Sequence, residues 1–189
     1  MRIIAGTRKG LTLRAPEGLR VRPTPMRVRE AAMSILGATF DGEEVLDLCA
    51  GAGTIGLELL SRGAGRAVFV EPDAEALAVL RANVRKARFD DRAQILGLDA
   101  KTALGQLAKA GARFDIVWLD PPWDAKLYHS LLEALATSGT LRTSSDVWVE
   151  SPAGLDDATM AGRWRRIDQR RYGSVVLDRL ELLGPGETP

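Results

Sequence analysis

Apolar and polar positions along the chain change period twice. Residues 2–14 hold two short extended runs, Arg2–Ala5 and Leu11–Arg14, joined through Gly6 and Gly10, the pattern of a hairpin. Arg22-Pro23-Thr24-Pro25 stops regular structure, with Thr24 placed as a helix N-cap and Pro25 as the first helical residue. Val28, Ala31, Ala32, Ile35 and Leu36 then recur at helical spacing and predict one apolar stripe, with Arg27, Glu30 and Ser34 on another side. From residue 43 the period alternates. Val45–Leu48, Ala67–Val70, Ala93–Leu98, Phe114–Leu119 and Val147–Glu150 read as strands; Ile55–Ser61, Asp73–Ala87, Ala100–Ala108 and Ala125–Ala136 read as helices. Strands alternating with helices predict a mostly parallel sheet covered on both faces. Trp164–Arg171 and Ser174–Leu183, around Tyr172-Gly173, predict a closing antiparallel hairpin, so the expected fold is α/β with a seven-stranded mixed sheet.

Composition narrows the classes. The chain has 189 residues, with 26 Lys and Arg against 25 Asp and Glu, a net charge of +1. That sum is not the strong excess expected of a nucleic-acid-coating domain. Its distribution differs: residues 1–30 carry eight cations against Glu17 and Glu30 (+6), residues 162–171 five against Asp168 (+4), and the rest is acidic at −9. Basic ends on an acidic body point to a nucleic-acid partner. A single cysteine, Cys49, excludes an internal disulfide framework. No apolar run reaches the ~20 residues of a membrane helix, and Met1–Gly6 lacks a signal-peptide pattern. A cytoplasmic protein without a membrane partner is expected.

The first predicted strand enters Asp47-Leu48-Cys49-Ala50-Gly51-Ala52-Gly53-Thr54-Ile55-Gly56, where three glycines fit G-x-G-x-x-G between strand and helix. One reading is a dinucleotide site, with pyrophosphate at the helix N-terminus and Glu71 on the ribose hydroxyls. The other is S-adenosylmethionine (SAM) in the same crevice, again with Glu71 on the ribose. Asp47 helps to separate them. A carboxylate there repels a pyrophosphate and favours a sulfonium or an α-ammonium.

The fourth strand ends in Asp120-Pro121-Pro122-Trp123. Proline lacks an N–H, so this is a stiff loop with carbonyls free to accept. A carboxylate and a rigid carbonyl can together accept both hydrogens of an exocyclic amine, while Trp123 stacks on the ring that carries it. Accepting those hydrogens favours the pyramidal nitrogen that attacks a methyl group, so positioning and electrostatics supply the catalysis.

With these motifs the chain resembles the RsmD family of bacterial 16S ribosomal RNA guanine-N2 methyltransferases over nearly its whole length. Arg2–Gly6 with Gly10 and Leu13 is similar to the family's N-terminal hairpin. Arg22-Pro23-Thr24 and Arg27-Val28-Arg29-Glu30 are similar to its signature helix. Asp47–Gly53 corresponds to the SAM loop, Glu71 with Asp73 to the ribose segment, and Asp120–Trp123 to the amino-methyltransferase motif. Cys49, Ala52, Pro25-Met26 and Trp123 depart from the usual residues. The resemblance implies a Rossmann-like SAM-dependent methyltransferase domain over 41–184, an RNA-facing extension over 1–40 and a tail at 185–189. It implies SAM over Asp47, Ala50, Gly51 and Gly53, Glu71 on the ribose, Asp99 on the adenine amine, Asp120 near both cofactor and substrate amine, and Asp120, Pro121, Pro122 and Trp123 as the catalytic loop. The implied partner is 16S rRNA in an assembled or assembling 30S particle, bound by a monomer. Arg8, Lys9, Arg14, Arg20 and Arg22 are expected to meet phosphates, with Arg27 and Arg29 framing the active-site mouth. Arg163, Arg165 and Arg166 read either as a second phosphate stripe or as the polar face of the hairpin. The lone His129 reads as surface or boundary packing, and no Cys/His cluster suggests a metal. The alternatives are an NAD-dependent dehydrogenase, an adenine-N6 or protein-Gln amide methyltransferase, and a non-catalytic RNA-binding assembly factor.

Overall fold

A computed structural model describes residues 1–15, 26–160 and 162–184, and in it the alternation of strands and helices runs from residue 44 onward. The chain forms two compact units, residues 1–99 and 100–189. This division cuts the chain elsewhere than the 1–40 and 41–184 reading, because the N-terminal segment is built into the first unit.

In the first unit β1 (Glu44–Asp47), β2 (Arg66–Val70) and β3 (Ala93–Leu96) lie parallel in the order β3-β2-β1, with Val45 opposite Ala67 and Asp47 opposite Phe69. These strands are short apolar runs, and β2 is buried from Ala67 to Val70. Three helices accompany them: α1 (Met26–Leu36), α2 (Thr54–Arg62) and α3 (Ala74–Ala87). Helix α2 is buried from Thr54 to Ser61, including its one acidic residue, Glu58. Asp73 caps α3, accepting from the N–H groups of Glu75 and Ala76 at 3.1 and 2.8 Å. The N-terminal runs meet as an antiparallel pair with a single ladder bridge, Arg2 to Thr12, around a 3-10 turn at Gly6–Arg8. Ile3 and Leu13 are its buried residues. A Cβ on Gly6, whose φ is +79°, would overlap the carbonyl of Ser61, so this turn rests directly on α2.

The buried face of α1 is rotated from the predicted stripe. It holds Val28, Arg29, Ala32 and Met33, whereas Ala31, Ile35 and Leu36 are only half-buried. The predicted cap at Thr24 and Pro25 lies outside the described residues.

In the second unit β4 (Phe114–Leu119) runs parallel to β5 (Leu141–Ser151). β5 pairs antiparallel with β7 (Val175–Leu182), and β7 with β6 (Trp164–Tyr172). Helices α4 (Ala100–Lys109), α5 (Ala125–Ser138) and the short α6 (Asp157–Met160) complete it. Trp118 and Trp148, opposite each other on β4 and β5, stack with ring centroids 6.1 Å apart. Strand β5 begins six residues before its apolar run. Leu141 pairs with Phe114, the register then shifts, and the Ser145 hydroxyl satisfies the Phe114 carbonyl at 2.7 Å across the irregularity.

Candidate active site

The loop after β1 is held by its own carboxylates. Glu71, just past β2, accepts from the N–H of Gly51 at 2.8 Å and from that of Asp73 at 2.8 Å, one on each oxygen. Asp47 closes β1 and accepts from the N–H of Gly56, in the first turn of α2, at 3.0 Å. Gly53 donates to the Ala50 carbonyl at 2.7 Å, and Ala50 donates to Val70 at 2.9 Å. Gly53 has φ +79°, and a Cβ there would overlap Leu80 of α3; one at Gly56 would overlap Phe69. Gly56 thus serves the close packing of α2 on β2, and Gly53 that of the loop on α3. The amides of Gly51, Gly53 and Gly56 are all bonded within the protein, so none of the three is left to grip a pyrophosphate.

Asp47 is 2% exposed, and burial pushes its carboxyl up to about 7. The Glu71 charge adds to that shift and the Gly56 N–H opposes it. No Arg or Lys pairs with either carboxylate among the described residues. Two buried carboxylates at adjacent strand ends suit a cationic ligand. Asp99 is exposed and immediately precedes α4.

In the second unit Asp120 is half-buried, Pro121 buried, and Pro122 and Trp123 exposed, Trp123 at 44%. The expectation of free carbonyls holds unevenly. The Pro122 carbonyl is taken by the Asp124 N–H at 2.7 Å, which corrects its reading as an open acceptor. Among the described residues the Pro121 carbonyl meets the Tyr128 hydroxyl at a long 3.5 Å, while that hydroxyl donates to the Glu150 carbonyl at 3.0 Å. Tyr128, buried on α5, thus braces the loop from below; sequence reading passed it over, although an aromatic seven residues after Pro121 on an amphipathic helix was its signal. Asp124 caps α5 through the Lys126 N–H at 2.9 Å.

The two basic regions are handled differently. On the hairpin Arg165 pairs with Glu181 at 2.7 Å, Arg166 with buried Asp178 at 2.8 Å, and Arg170 with Asp168 at 2.8 Å. Arg163 pairs with Glu133 at 3.3 Å, Arg171 donates to the Ala153 carbonyl, and Arg166 also reaches the Leu155 carbonyl. These cations form the polar face of the hairpin. In the first unit Lys9 and Arg14 are exposed and carry no ion pair among the described residues, and Arg81, Arg85 and Arg88 line one face of α3 and its end in the same condition. Sequence reading did not single these three out: Arg81 and Arg85 fell within the helix read over Asp73–Ala87, and Arg88 just past its end. Arg8 donates to the Ala87 carbonyl at the end of α3, at 2.6 Å, and lies over the Phe89 ring.

Arg29 needs correction. Read as part of an exposed mouth, it is 2% exposed, donates to the Arg2 carbonyl at 3.2 Å, and has no partner for Nε among the described residues. Burial lowers its pKa, opposed by the charges of Glu58 and Glu30. It sits one turn from Met33 on the buried face of α1, so it fastens the N-terminal segment rather than meeting phosphate. Arg27 lies in α1; Arg20 and Arg22 lie outside the described residues. No group of three His, Cys, Asp or Glu residues that could hold a metal ion occurs among the described residues, nor any helix long and apolar enough to cross a membrane.

A family model described as conserved hypothetical protein 95, that of the RsmD family, matches residues 1–180. The chain belongs to the RsmD family. Among RsmD relatives, YlbH of Bacillus subtilis is 35% identical over 85% of this chain and 90% of its own. The Escherichia coli protein named ribosomal RNA small subunit methyltransferase D is 29% identical over 100% of this chain and 93% of its own. The solved structure of Escherichia coli YhhF superposes with a TM-score of 0.83 at 30% identity, covering 96% of this chain and 97% of that one. The fold of this RsmD-family chain is the Rossmann-like SAM-dependent methyltransferase fold, a seven-stranded mixed sheet with a C-terminal antiparallel hairpin.

Proposed function

We propose that this chain transfers a methyl group from SAM to the exocyclic N2 amine of a guanine in small-subunit ribosomal RNA, within an assembled or assembling particle in the cytoplasm. The observation that carries the reading is the stiff Asp120–Trp123 loop, with its indole exposed beside a carboxylate, in a chain of the RsmD family. The internally bonded amides of Gly51, Gly53 and Gly56 favour SAM over a dinucleotide. SAM supplies an electrophilic methyl on a sulfonium. Around it, Glu71 and Asp47 provide the carboxylates that a cation and a ribose need, and Asp99 reaches the adenine amine. Asp120 and the Pro121 carbonyl accept the two amine hydrogens, and Trp123 stacks on a base splayed out of its helix. Asp120 and the Pro121 carbonyl would aim the amine lone pair at the methyl that bound SAM would supply, the sulfur keeping the electron pair of its old bond and leaving as the neutral thioether. Asp120 stabilises the positive charge that develops before a proton leaves to water. Small subunits lacking the modification, incubated with methyl-labelled SAM, should yield labelled N2-methylguanosine. Label in N6-methyladenosine or in protein, or no transfer at all, would overturn the reading.

The titration of Asp47 gives a second test. In the unfolded chain its carboxyl titrates near ~3.9; in the fold it titrates at about 7. Native protein thus binds that proton more tightly, and burying the carboxylate costs stability increasingly from about pH 4 up to about 7. A bound cation favours the carboxylate, so binding below pH 7 expels the proton. SAM affinity should rise with pH up to about 7 and level off above it, with proton release seen by calorimetry in buffers of different ionisation enthalpy. Asp47→Asn should flatten the profile.

Phosphate binding is assigned to Lys9 and Arg14, extended by Arg81, Arg85 and Arg88. Removing one cation that meets a phosphate should reduce the slope of log K against log salt by ~0.7–0.9. Replacing Lys9 and Arg88 by Gln should lower the slope by about 1.5. Replacing the paired Arg165 and Arg170 should leave it unchanged.

A further inference from the structure

Asn83 of α3 is wholly buried, at 0% exposed. Its Oδ1 accepts from the Arg14 N–H at 2.8 Å. Its Nδ2 donates to the Arg14 carbonyl at 3.1 Å and to the Ala52 carbonyl at 3.0 Å. Both amide hydrogens are therefore used, one on each side, and the oxygen faces a donor, which fixes the orientation of the amide. Asp in its place lacks both donors and faces two carbonyls; Leu bonds to neither. Ala52 lies between Gly51 and Gly53 of the loop assigned to SAM. Arg14 lies at the end of the N-terminal segment, just before the stretch that carries Arg20 and Arg22. The loop presses on the same helix through Gly53, which leaves no room for a Cβ against Leu80. A shift of the Ala52 carbonyl by about 1 Å takes that bond out of range unless Asn83 and the backbone of Arg14 follow.

We infer that Asn83 is a positioning residue that couples the loop Gly51–Gly53 to the N-terminal segment, so that occupancy of the loop orders residues 11–15 and ordering of that segment tightens the loop. The coupling is reciprocal, as any linkage of binding equilibria must be. What the two ends bind rests on the proposed function; the tie between them does not.

The experiment is amide hydrogen exchange on the full chain with and without S-adenosylhomocysteine. In the wild type the ligand should slow exchange both at Gly51 and Gly53 and at Leu13 and Arg14. In Asn83→Asp the loop should still be slowed on binding, and Leu13 and Arg14 should not. Lys86→Gln, which removes the neighbouring bond from Nζ to the Thr12 carbonyl at 2.7 Å, should keep the wild-type response. Equal slowing at Leu13 and Arg14 in Asn83→Asp, or none in the wild type, would overturn the proposal. Should Asn83→Asp not fold, Asn83→Ser gives the same comparison. A merely structural Asn83 would lower the melting temperature and leave the ligand-induced difference intact. A second readout is RNA affinity: the product should tighten it about fivefold or more in the wild type and by less than about twofold in Asn83→Asp. If the chain binds S-adenosylhomocysteine but methylates no RNA, the functional reading fails while the exchange result still decides the coupling.

Discussion

Asp120→Ala is expected to slow methyl transfer by at least about 10²-fold in single turnover, with SAM affinity changed by less than about twofold. The carboxylate follows β4, whose last residues, Val117 to Leu119, are buried, so its removal leaves the strand intact. Two prolines follow, and the Asp124 N–H locks the Pro122 carbonyl, so the loop cannot swing another acceptor into place. The Pro121 carbonyl alone can hold one amine hydrogen and does nothing for charge on the nitrogen. Asp120→Asn keeps one neutral acceptor and should fall between the two. A wild-type rate in Asp120→Ala would mean that chemistry happens elsewhere in the chain.

Glu58→Ala is expected to destabilise the first unit by about 3–5 kcal/mol, measured by urea unfolding. Glu58 is 0% exposed and is paired with Arg62 at 2.8 Å, whose side chain is nearly buried too. Its oxygens also accept from the backbone N–H groups of Ile4 and Ala5 at 2.7 and 3.0 Å. Alanine leaves one buried cation and two amides without their acceptor, and the larger of the two charges that oppose the burial of Arg29 disappears with it. Glu58→Gln keeps a carbonyl for one amide and presents an NH2 to the other, so an intermediate loss follows. The N-terminal segment should loosen first, seen as faster exchange of its amides at denaturant concentrations where β1–β3 remain protected.

These residues mark where the sequence stops being legible. Strand β4 is read to the residue, because Phe114–Leu119 is an apolar run bounded by Arg113 and by Asp120-Pro121. The helix after the β1 loop and the hairpin around Tyr172-Gly173 are read to within one residue at each end. Strand β5 was read from Val147 only, since Arg142–Ser144 are exposed and polar and join through a side-chain hydroxyl, which no periodicity reports. Glu58, Asn83 and Arg29 were unread or misread for one reason: a charged or amide side chain is placed on the surface by default. At Glu58 the signal was weak: Thr54, Glu58, Ser61 and Arg62 share one polar stripe of an otherwise apolar helix, the pattern of a solvent-facing side, yet all but Arg62 are buried. At Arg29 it was the alternation with Val28 and the spacing to Met33. Which cations would be neutralised was not legible at all, because the partners of Arg166 and Arg165, Asp178 and Glu181, come from the facing strand, and pairing depends on register.

The distribution of the four tryptophans has an optical consequence. Trp118, Trp148 and Trp164 are at most 1% exposed, while Trp123 stands 44% open to solvent on the loop after β4. A polar quencher such as iodide therefore selects the indole of Trp123, and the other three supply a constant background. The close Trp118 and Trp148 rings couple through the strong far-ultraviolet band of indole, and that contribution to the circular dichroism reports the packing of β4 on β5. The protein carries, without labelling, separate spectroscopic probes for the loop proposed to meet the base and for the sheet that supports it.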